Sequence, residues 1–433
     1  MGTNENEVGE DTVIGKLDTE PENESYDAFD SFGLNESQLA FRRHCHDFAA
    51  TELRPRAAEH DRSESVPWDL YRRAAEAGFY RPEFFYGAYL DPTGVSVALA
   101  AEELSWGDAG LGLALLYPAL PLTALLLAGT AEQQEELVPL LFGTPNAPSL
   151  SSFAASEPQA GSDLAAVSTT ARRVDGGWVL NGTKRWAGNT GDAAWYLVVA
   201  TVDPALGARG QALFALPGSA EGVSFGPRLT KLGLRALSHR DLLLNEVHVP
   251  DRHLIGGAER LERRLERART GKGSAEGGQH TQSAMATFEA TRPFVAAMAV
   301  GVARAAHEHA VIYSRSRESF GKVIGEHQQI ASQLARQRIQ VDAGRLLVHR
   351  AVRMQAARHP MAAAEGSQAK LFAGEAVREV TLSALQVAGG LGFTGELPLE
   401  RLYRDAPIYG IFEGTNEIQN LVIASALLGR RVR

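Results

Sequence analysis

Residues 409–419 read YGIFEGTNEIQ, where the carboxylate of Glu413 is followed at once by Gly414 and Thr415. Beyond it Ile418, Leu421, Val422 and Leu427 recur at helical spacing. A carboxylate in a glycine-kinked turn at the mouth of a helix can point into a pocket with backbone N–H groups free beside it. Such groups can hold an oxygen that becomes negative during reaction. The chemistry on offer is removal of a proton by a positioned base. The plainer alternative is a charged helix N-terminus in which Asn416 and Gln419 form a loose capping pair.

The elements that must position this turn follow from the order of periodicities along the chain. Residues 1–34 are rich in Asp, Glu, Asn and Gly and hold almost no core formers, so they are expected to be a disordered acidic tail. Residues 35–150 carry helical stripes (Phe41, Phe48, Leu53, Leu70, Ala74), two strongly apolar segments between 98 and 127, and an amphipathic helix over 131–141. Turn-rich and β-type runs occupy 151–255, among them 195–201, 211–216 and 242–249, with Asn181-Gly182 after Trp178-Val179-Leu180 read as a hairpin turn. A basic insertion or linker at 256–282 alternates Arg260, Arg263, Arg264, Arg267, Arg269 and Lys272 with Glu259, Glu262 and Glu266. It reads as a surface helix with a linker, or as a patch for a phosphate-bearing ligand or an acidic carrier protein. From 283 to 433 long helices return, near 286–316, 327–357, 363–390 and 415–429, joined as a four-helix bundle. The fold class is mainly α with a central, barrel-like β domain.

Bulk properties narrow the function. A formal charge of −9 argues against nucleic acid as a partner. The one cysteine, Cys45, allows no internal disulfide framework and fits a reducing, cytoplasmic setting. His44 and His46 flank it without a further ligand cluster, which reads as a solvated helix face rather than a metal site. The densest apolar stretch, 111–128, is interrupted by Tyr117, Pro118, Pro121 and Thr123, and reads as a buried helix pair rather than a membrane span.

Four separated motifs, with Glu413, closely resemble the acyl-CoA dehydrogenase family over about 35–430. The first is 153–163, FAASEPQAGSD. The resemblance implies that this loop lies along an FAD, with Phe153, Ala155, Ser156 and Gly161 at the cofactor and Ser162 where flavin and thioester meet. Small residues let backbone approach a flat ring, and hydroxyls satisfy its polar rim. The second is 184–189, KRWAGN, which places Trp186, Ala187 and Gly188 against the flavin. The family has a hydroxyl residue where this chain has Gly188, a departure shared with some oxidase-like relatives. The third is RESFGK at 317–322 followed by His327-Gln328; Arg317, Ser319, Phe320 and Gln328 would contact the dinucleotide. Arginine suits a diphosphate because its fork is planar and permanently charged. The fourth is 386–392, QVAGGLG, offering Gln386, Val387, Gly389 and Gly390, though a plain helix C-cap reads the same way.

By the same resemblance the third and fourth groups come from a neighbouring subunit, which implies a homodimer or homotetramer. Thr415 and Glu417 join the cofactor set, and Glu289, Arg292 and Gly414 the substrate set. The implied reaction is α,β-dehydrogenation of an acyl thioester, with Glu413 as base. Thr291 matches the position where other branches carry the base, and threonine cannot serve. Electrons would pass to an electron-transfer flavoprotein-like acceptor, or to oxygen if the chain is an oxidase. An acyl-carrier protein could deliver the thioester, and a non-catalytic flavin-binding protein is the alternative of another class.

Overall fold

The computed structural model describes residues 33–270 and 283–432. Most of the acidic tail and the end of the insertion, including Lys272, lie outside the described residues. The N-terminal region is helical: α1 (Glu36–Phe48), α2 (Arg54–Ser63), α3 (Trp68–Glu76), α4 (Pro82–Leu90), α5 (Val95–Gly107), α6 (Ala109–Leu116), α7 (Ala119–Ala128) and α8 (Ala131–Phe142). Asn35 opens α1 with a reciprocal capping box to Gln38, and Thr130 opens α8 in the same way with Gln133. The apolar stretch Ala109–Ala128 has a mean hydropathy of 2.0, yet it is broken at Tyr117–Pro118 and is mostly interior.

Strands follow. A small pair, β1 (Gly143–Thr144) and β2 (Ala147–Pro148), precedes β3 (Ser151–Ala154), β4 (Thr170–Val174), β5 (Gly177–Lys184), β6 (Trp195–Thr201), β7 (Gln211–Pro217), β8 (Val223–Phe225) and β9 (Leu242–Pro250). The last seven form one sheet in the order β3-β6-β4-β5-β9-β8, with β7 also on β6. Asn181-Gly182 does not turn the chain. β5 runs straight through it, and the hairpin lies earlier, where Val174 pairs with Gly177. The dipeptide instead makes an irregularity in the pairing with β9. Asn181 exchanges two hydrogen bonds with Glu246, and Gly182 takes a φ of +150° against Thr169, where a Cβ would meet the threonine hydroxyl at 2.5 Å.

The insertion forms a helix, α9 (Ala258–Arg269), docked by the buried Leu261 and Leu265. Three of its arginines bond within the chain: Arg260 donates to Ala128 O at 3.0 Å, Arg264 to Gln211 O, and Arg269, at the surface, to Asp203 at 2.8 Å.

Four long helices complete the chain: α10 (Ser283–Ser316), α11 (Gln328–Ala356), α12 (Glu365–Ala388) and α14 (Asn416–Leu428). The short strands β10 (Glu318–Ser319) and β11 (Lys322–Val323) join the first two, and a short helix, α13 (Leu399–Asp405), precedes the last.

Charge, as well as apolar packing, joins the two helical regions. Arg304 on α10 is 2 % exposed and donates to Glu103 at 2.8 Å and Glu102 at 3.0 Å, both on α5. Arg345 of α11 reaches Glu102 at 2.7 Å, and Arg42 and His46 of α1 reach Glu103, each at 2.8 Å. Burial alone would push the Glu103 carboxyl up, but the Arg304 guanidinium holds it well below the usual range. His46 also stacks near Trp106, His44 lies on Phe79, and Cys45 is fully buried. The solvated face expected there holds only in part: His44 stays exposed with its ring stacked on Phe79, while Cys45 is buried and His46 half-buried against Trp106.

Replacing Arg304 with Met removes the cation shared by two buried carboxylates, leaving Glu102 to Arg345 and Glu103 to Arg42 and His46. Urea unfolding is expected to show a loss of about 3–5 kcal/mol. The exposed pair Arg263–Glu259 is the control, where Arg263→Ala should cost less than about 1 kcal/mol.

Candidate active site

Glu413 sits in a tight turn between the single-turn helix Ala406–Gly410 and α14. Its φ of +56° is unusual for a residue with a side chain, and Gly414 follows at +90°. Two side chains clamp this strained turn. Lys370, buried on α12, donates to Gly414 O at 2.7 Å, and Gln419 donates to the same carbonyl at 2.9 Å. A Cβ at 414 would stand 2.5 Å from the Gln419 amide, so glycine is required for the clamp as well as for the backbone. The capping pair expected from Asn416 and Gln419 is not formed. Thr415 caps α14, and Gln419 folds back onto the turn, where its amide donates to the carbonyls of Glu413 and Gly414.

The Glu413 side chain points at α10, where Thr291 Oγ1 lies 2.9 Å from Oε2. That hydroxyl has one proton and further claimants, since the Thr287 carbonyl lies 3.1 Å away and the Phe288 carbonyl 3.4 Å. With Glu413 ionised the threonine can donate to it. With Glu413 protonated, the carboxyl can donate to the threonine, which then serves Thr287. Enclosure of the carboxyl end raises the pKa of Glu413 to about 7, while Thr291 and the charges of Arg292 and Lys370 limit the rise. Burial lowers Lys370 to about 8. Arg292 is buried, donates to Ser367 at 3.2 Å, and leaves its Nε without a hydrogen-bond partner. Glu289 is exposed one turn away, close enough for its charge to act on Arg292. Glu417 is exposed in the first turn of α14.

A second group meets this one from the sheet. Phe153 on β3 is buried edge-on against Phe288 of α10, at 5.8 Å between ring centres. The loop after it, with Ala155, Ser156, Gly161 and Ser162, is fixed by a buried ion pair. Lys184 on β5 donates to Glu157 at 2.8 Å and to Ala155 O at 2.9 Å. Burial would raise Glu157, but Lys184 and the donors of Ser168 and Thr169 hold it at about 2. Trp186, at φ +72°, is 58 % exposed, with the Arg185 guanidinium 4.8 Å from its ring. Ala187 is buried, and the Gly188 N–H donates to the Tyr117 hydroxyl at 2.9 Å.

These features fit a flat cofactor such as FAD: an uncovered indole face beside a loop of small residues, and bare backbone at Gly161, where a Cβ would meet nothing within 4 Å. The other two groups stand apart. Arg317, Ser319 and Gln328 surround the β10–β11 turn, and Phe320 at its tip is 95 % exposed. Arg317 is 26 positions beyond Thr291, a distance of about 40 Å along a helix rising 1.5 Å per residue. Gln386, Val387, Gly389 and Gly390 close α12, and the two glycines are equally open.

Several working residues escaped the sequence reading. Thr291 was weighed only as a substitute base, and Lys370, Gln419 and the Lys184–Glu157 pair were given no role. A lone lysine among alanines on an otherwise apolar helix face is the signal that would have flagged Lys370.

Comparison with known proteins agrees with this architecture. Family models match in three consecutive parts: acyl-CoA dehydrogenase N-terminal domain at 35–143, middle domain at 152–247 and C-terminal domain at 281–428. The chain is 36% identical over 406 residues to the mitochondrial short-chain specific acyl-CoA dehydrogenase of Mus musculus, covering 92% of each protein. Among solved structures it resembles butyryl-CoA dehydrogenase from Megasphaera elsdenii, with a TM-score of 0.79, 32% identity, and coverage of 92% of this chain and 99% of that one. It is also similar to the prolyl acyl carrier protein oxidase AnaB, with a TM-score of 0.79, 29% identity, and coverage of 91% and 100%. The chain belongs to the acyl-CoA dehydrogenase family and is an FAD-dependent oxidoreductase.

Proposed function

We propose that the protein removes the α-proton and β-hydrogen of an acyl-CoA thioester, with Glu413 as the base. The observation that carries this is the enclosed Glu413 carboxyl, raised to about 7 and aimed by Thr291 in a strained, doubly clamped turn. A carboxylate in open water is too weak a base for a thioester α-carbon, so a raised proton affinity is what the reaction asks of this side chain. The bond changes balance: the α-proton goes to Glu413, the β-hydrogen leaves with its electron pair, and a double bond forms between the two carbons. Bound FAD supplies the two-electron acceptor for that hydride. The Glu413 N–H makes no hydrogen bond among the described residues and is available to the thioester oxygen as negative charge grows there.

Phe153, Ala155, Ser156, Gly161, Trp186, Ala187 and Gly188 would hold the flavin ring, with Ser162, Arg292 and Gly414 towards the substrate. Arg317, Ser319, Phe320, Gln328, Gln386, Val387, Gly389 and Gly390 lie too far from Glu413 to serve the same cofactor. They would complete the site of a second copy, so the working form holds at least two chains. CoA is favoured over a carrier protein as donor, because three arginines of α9 are spent on contacts within the chain. The electrons pass onward to an electron-transfer flavoprotein-like acceptor; peroxide formation during turnover would instead identify an oxidase.

Glu413→Gln should give folded, yellow protein whose anaerobic bleaching by acyl-CoA is slowed by at least about a hundredfold. Bleaching at near the original rate would place the base elsewhere, and no bleaching of the unaltered enzyme by any acyl-CoA would favour a binding protein.

The pH profile tests the base independently. At low substrate the reduction rate should rise with pH through about 7, as Glu413 loses its proton. Thr291→Val removes a donor that favours the carboxylate, so it should move this limb to higher pH and depress the rate more at pH 6 than at pH 9. An unmoved limb would show that Thr291 does not hold the ionised base.

A further inference from the structure

The loop 226–241 joins β8 to β9 and folds tightly onto itself. Lys231 donates to the carbonyls of Leu234, at 2.7 Å, and of Leu237, while Leu234 takes a φ of +50°. One edge of this loop reaches the candidate site. His239 pairs with Gly188 in an isolated β-bridge, and Asp241 forms an ion pair at 3.2 Å with Arg185, the residue before Trp186.

The other edge is gripped by two consecutive residues at the end of α13. Arg404 donates to Leu232 O at 3.1 Å, and the buried Asp405 accepts the Leu234 N–H at 2.6 Å. A Cβ at 233 would stand 2.4 Å from the Asp405 carboxyl, so the glycine between these two contacts is what admits the carboxylate. Arg404 is itself anchored by Asp61 at 2.6 Å and Glu400 at 2.7 Å. Both contacts are to backbone, so they fix where the loop runs whatever its side chains do. Glu413 follows eight residues after Asp405, beyond the single-turn helix Ala406–Gly410 with its buried Tyr409.

A carboxylate is a destabilising choice at this position. Burial, with the charge of Asp108 alongside, pushes the Asp405 carboxyl well above the usual carboxylate range, against the Leu234 N–H and the Arg401 charge. Its proton is therefore held more tightly in the folded chain than in the unfolded one, and ionising it lowers stability as pH rises. Glu103 and Glu157 are the opposite case, since cationic partners hold both below that range. What Asp405 contributes is its short bond to the loop.

We infer that Arg404 and Asp405 are positioning residues, a clasp that fixes the spacing between the flavin-side residues 185–188 and the turn that carries Glu413. The inference rests on the dehydrogenase reading above, in which two hydrogens leave one substrate for two separate partners. Those partners are held by distant parts of the chain, and the clasped loop is a short bonded route from one to the other. Slack of about 1 Å in such a spacing is enough to slow the reaction by about a hundredfold.

The test follows amide hydrogen exchange in the holoenzyme, together with its anaerobic reduction by whichever of butyryl-, octanoyl- and palmitoyl-CoA reduces the unaltered enzyme fastest. Asp405→Ala should quicken exchange at 185–189 and 411–415 as well as at 232–237, and should lower the limiting reduction rate about tenfold to a hundredfold. The dissociation constant of the matching S-alkyl-CoA thioether, which cannot react, should stay the same, because the clasp does not touch substrate. Asp405→Asn keeps an acceptor for the Leu234 N–H, so it should restore the exchange pattern and most of the rate. It should also resist urea at least as well as the unaltered protein. Asp405→Ser, too short to reach the loop, replaces the alanine variant if that one does not fold, with the same losses expected. Quickened exchange at 232–237 alone, an undiminished limiting rate in the Ala or Ser variant, or an asparagine variant no better than alanine overturns the inference. Failure of every thioester to bleach the unaltered enzyme overturns the parent reading instead, and the exchange pattern still decides whether the clasp joins the two segments.

Discussion

Arg304 and the two glutamates it meets are the constraint on which the arrangement depends. Carboxylates at consecutive positions 102 and 103 of α5 repel one another inside the protein, and neither could stay ionised there without a cation. Arg304 supplies it from α10, and Arg345 from α11 shares Glu102. Such a cluster gives little net stability over an apolar equivalent, but it tolerates only one alignment of the helices that carry it. α10 is the helix that also presents Thr291 to Glu413 and Phe288 to Phe153. The register of the charge cluster therefore sets where Glu413 and the sheet loop stand relative to one another.

Two of the non-glycine residues with positive φ lie at the candidate site. Glu413 and Trp186 both have positive φ values, and each is held by neighbours that leave no easier conformation. Lys370 and Gln419 converge on the carbonyl of residue 414, while Lys184 and Glu157 converge on the loop after β3. In both places a buried lysine is spent on orienting backbone rather than on touching a ligand. Burial lowers both amines to about 8, the energetic cost of fixing two loops against a cavity.

Much of this was legible in the sequence. Helical and alternating periods located three regions, since each region's core repeats along its own elements, and Glu413 before a glycine marked the turn. Asn181-Gly182 misled because local turn preference was outweighed by pairing on both sides of β5, with the glycine used for a close approach to Thr169. His46 beside Cys45 misled, while His44 is exposed as expected, because a histidine ring packs on an aromatic neighbour as readily as it faces water. Lys370 and Thr291 stayed hidden for a different reason: their roles depend on contacts across 44 and 122 residues of chain, which no local pattern encodes. The partnership of Tyr117 with Gly188 is of the same kind, as an absent side chain at one position is explained only by a ring from another element.

The hydroxyl of Thr291 has a further consequence through its acceptors. Because the heavy atoms of Thr287, Thr291 and Glu413 suit either placement of the protons, loading the carboxyl reverses the direction of a short relay while every atom heavier than hydrogen stays where it was. Little reorganisation energy is then attached to a change of charge on the Glu413 carboxyl, the property that separates a preformed polar environment from water, whose dipoles would have to turn.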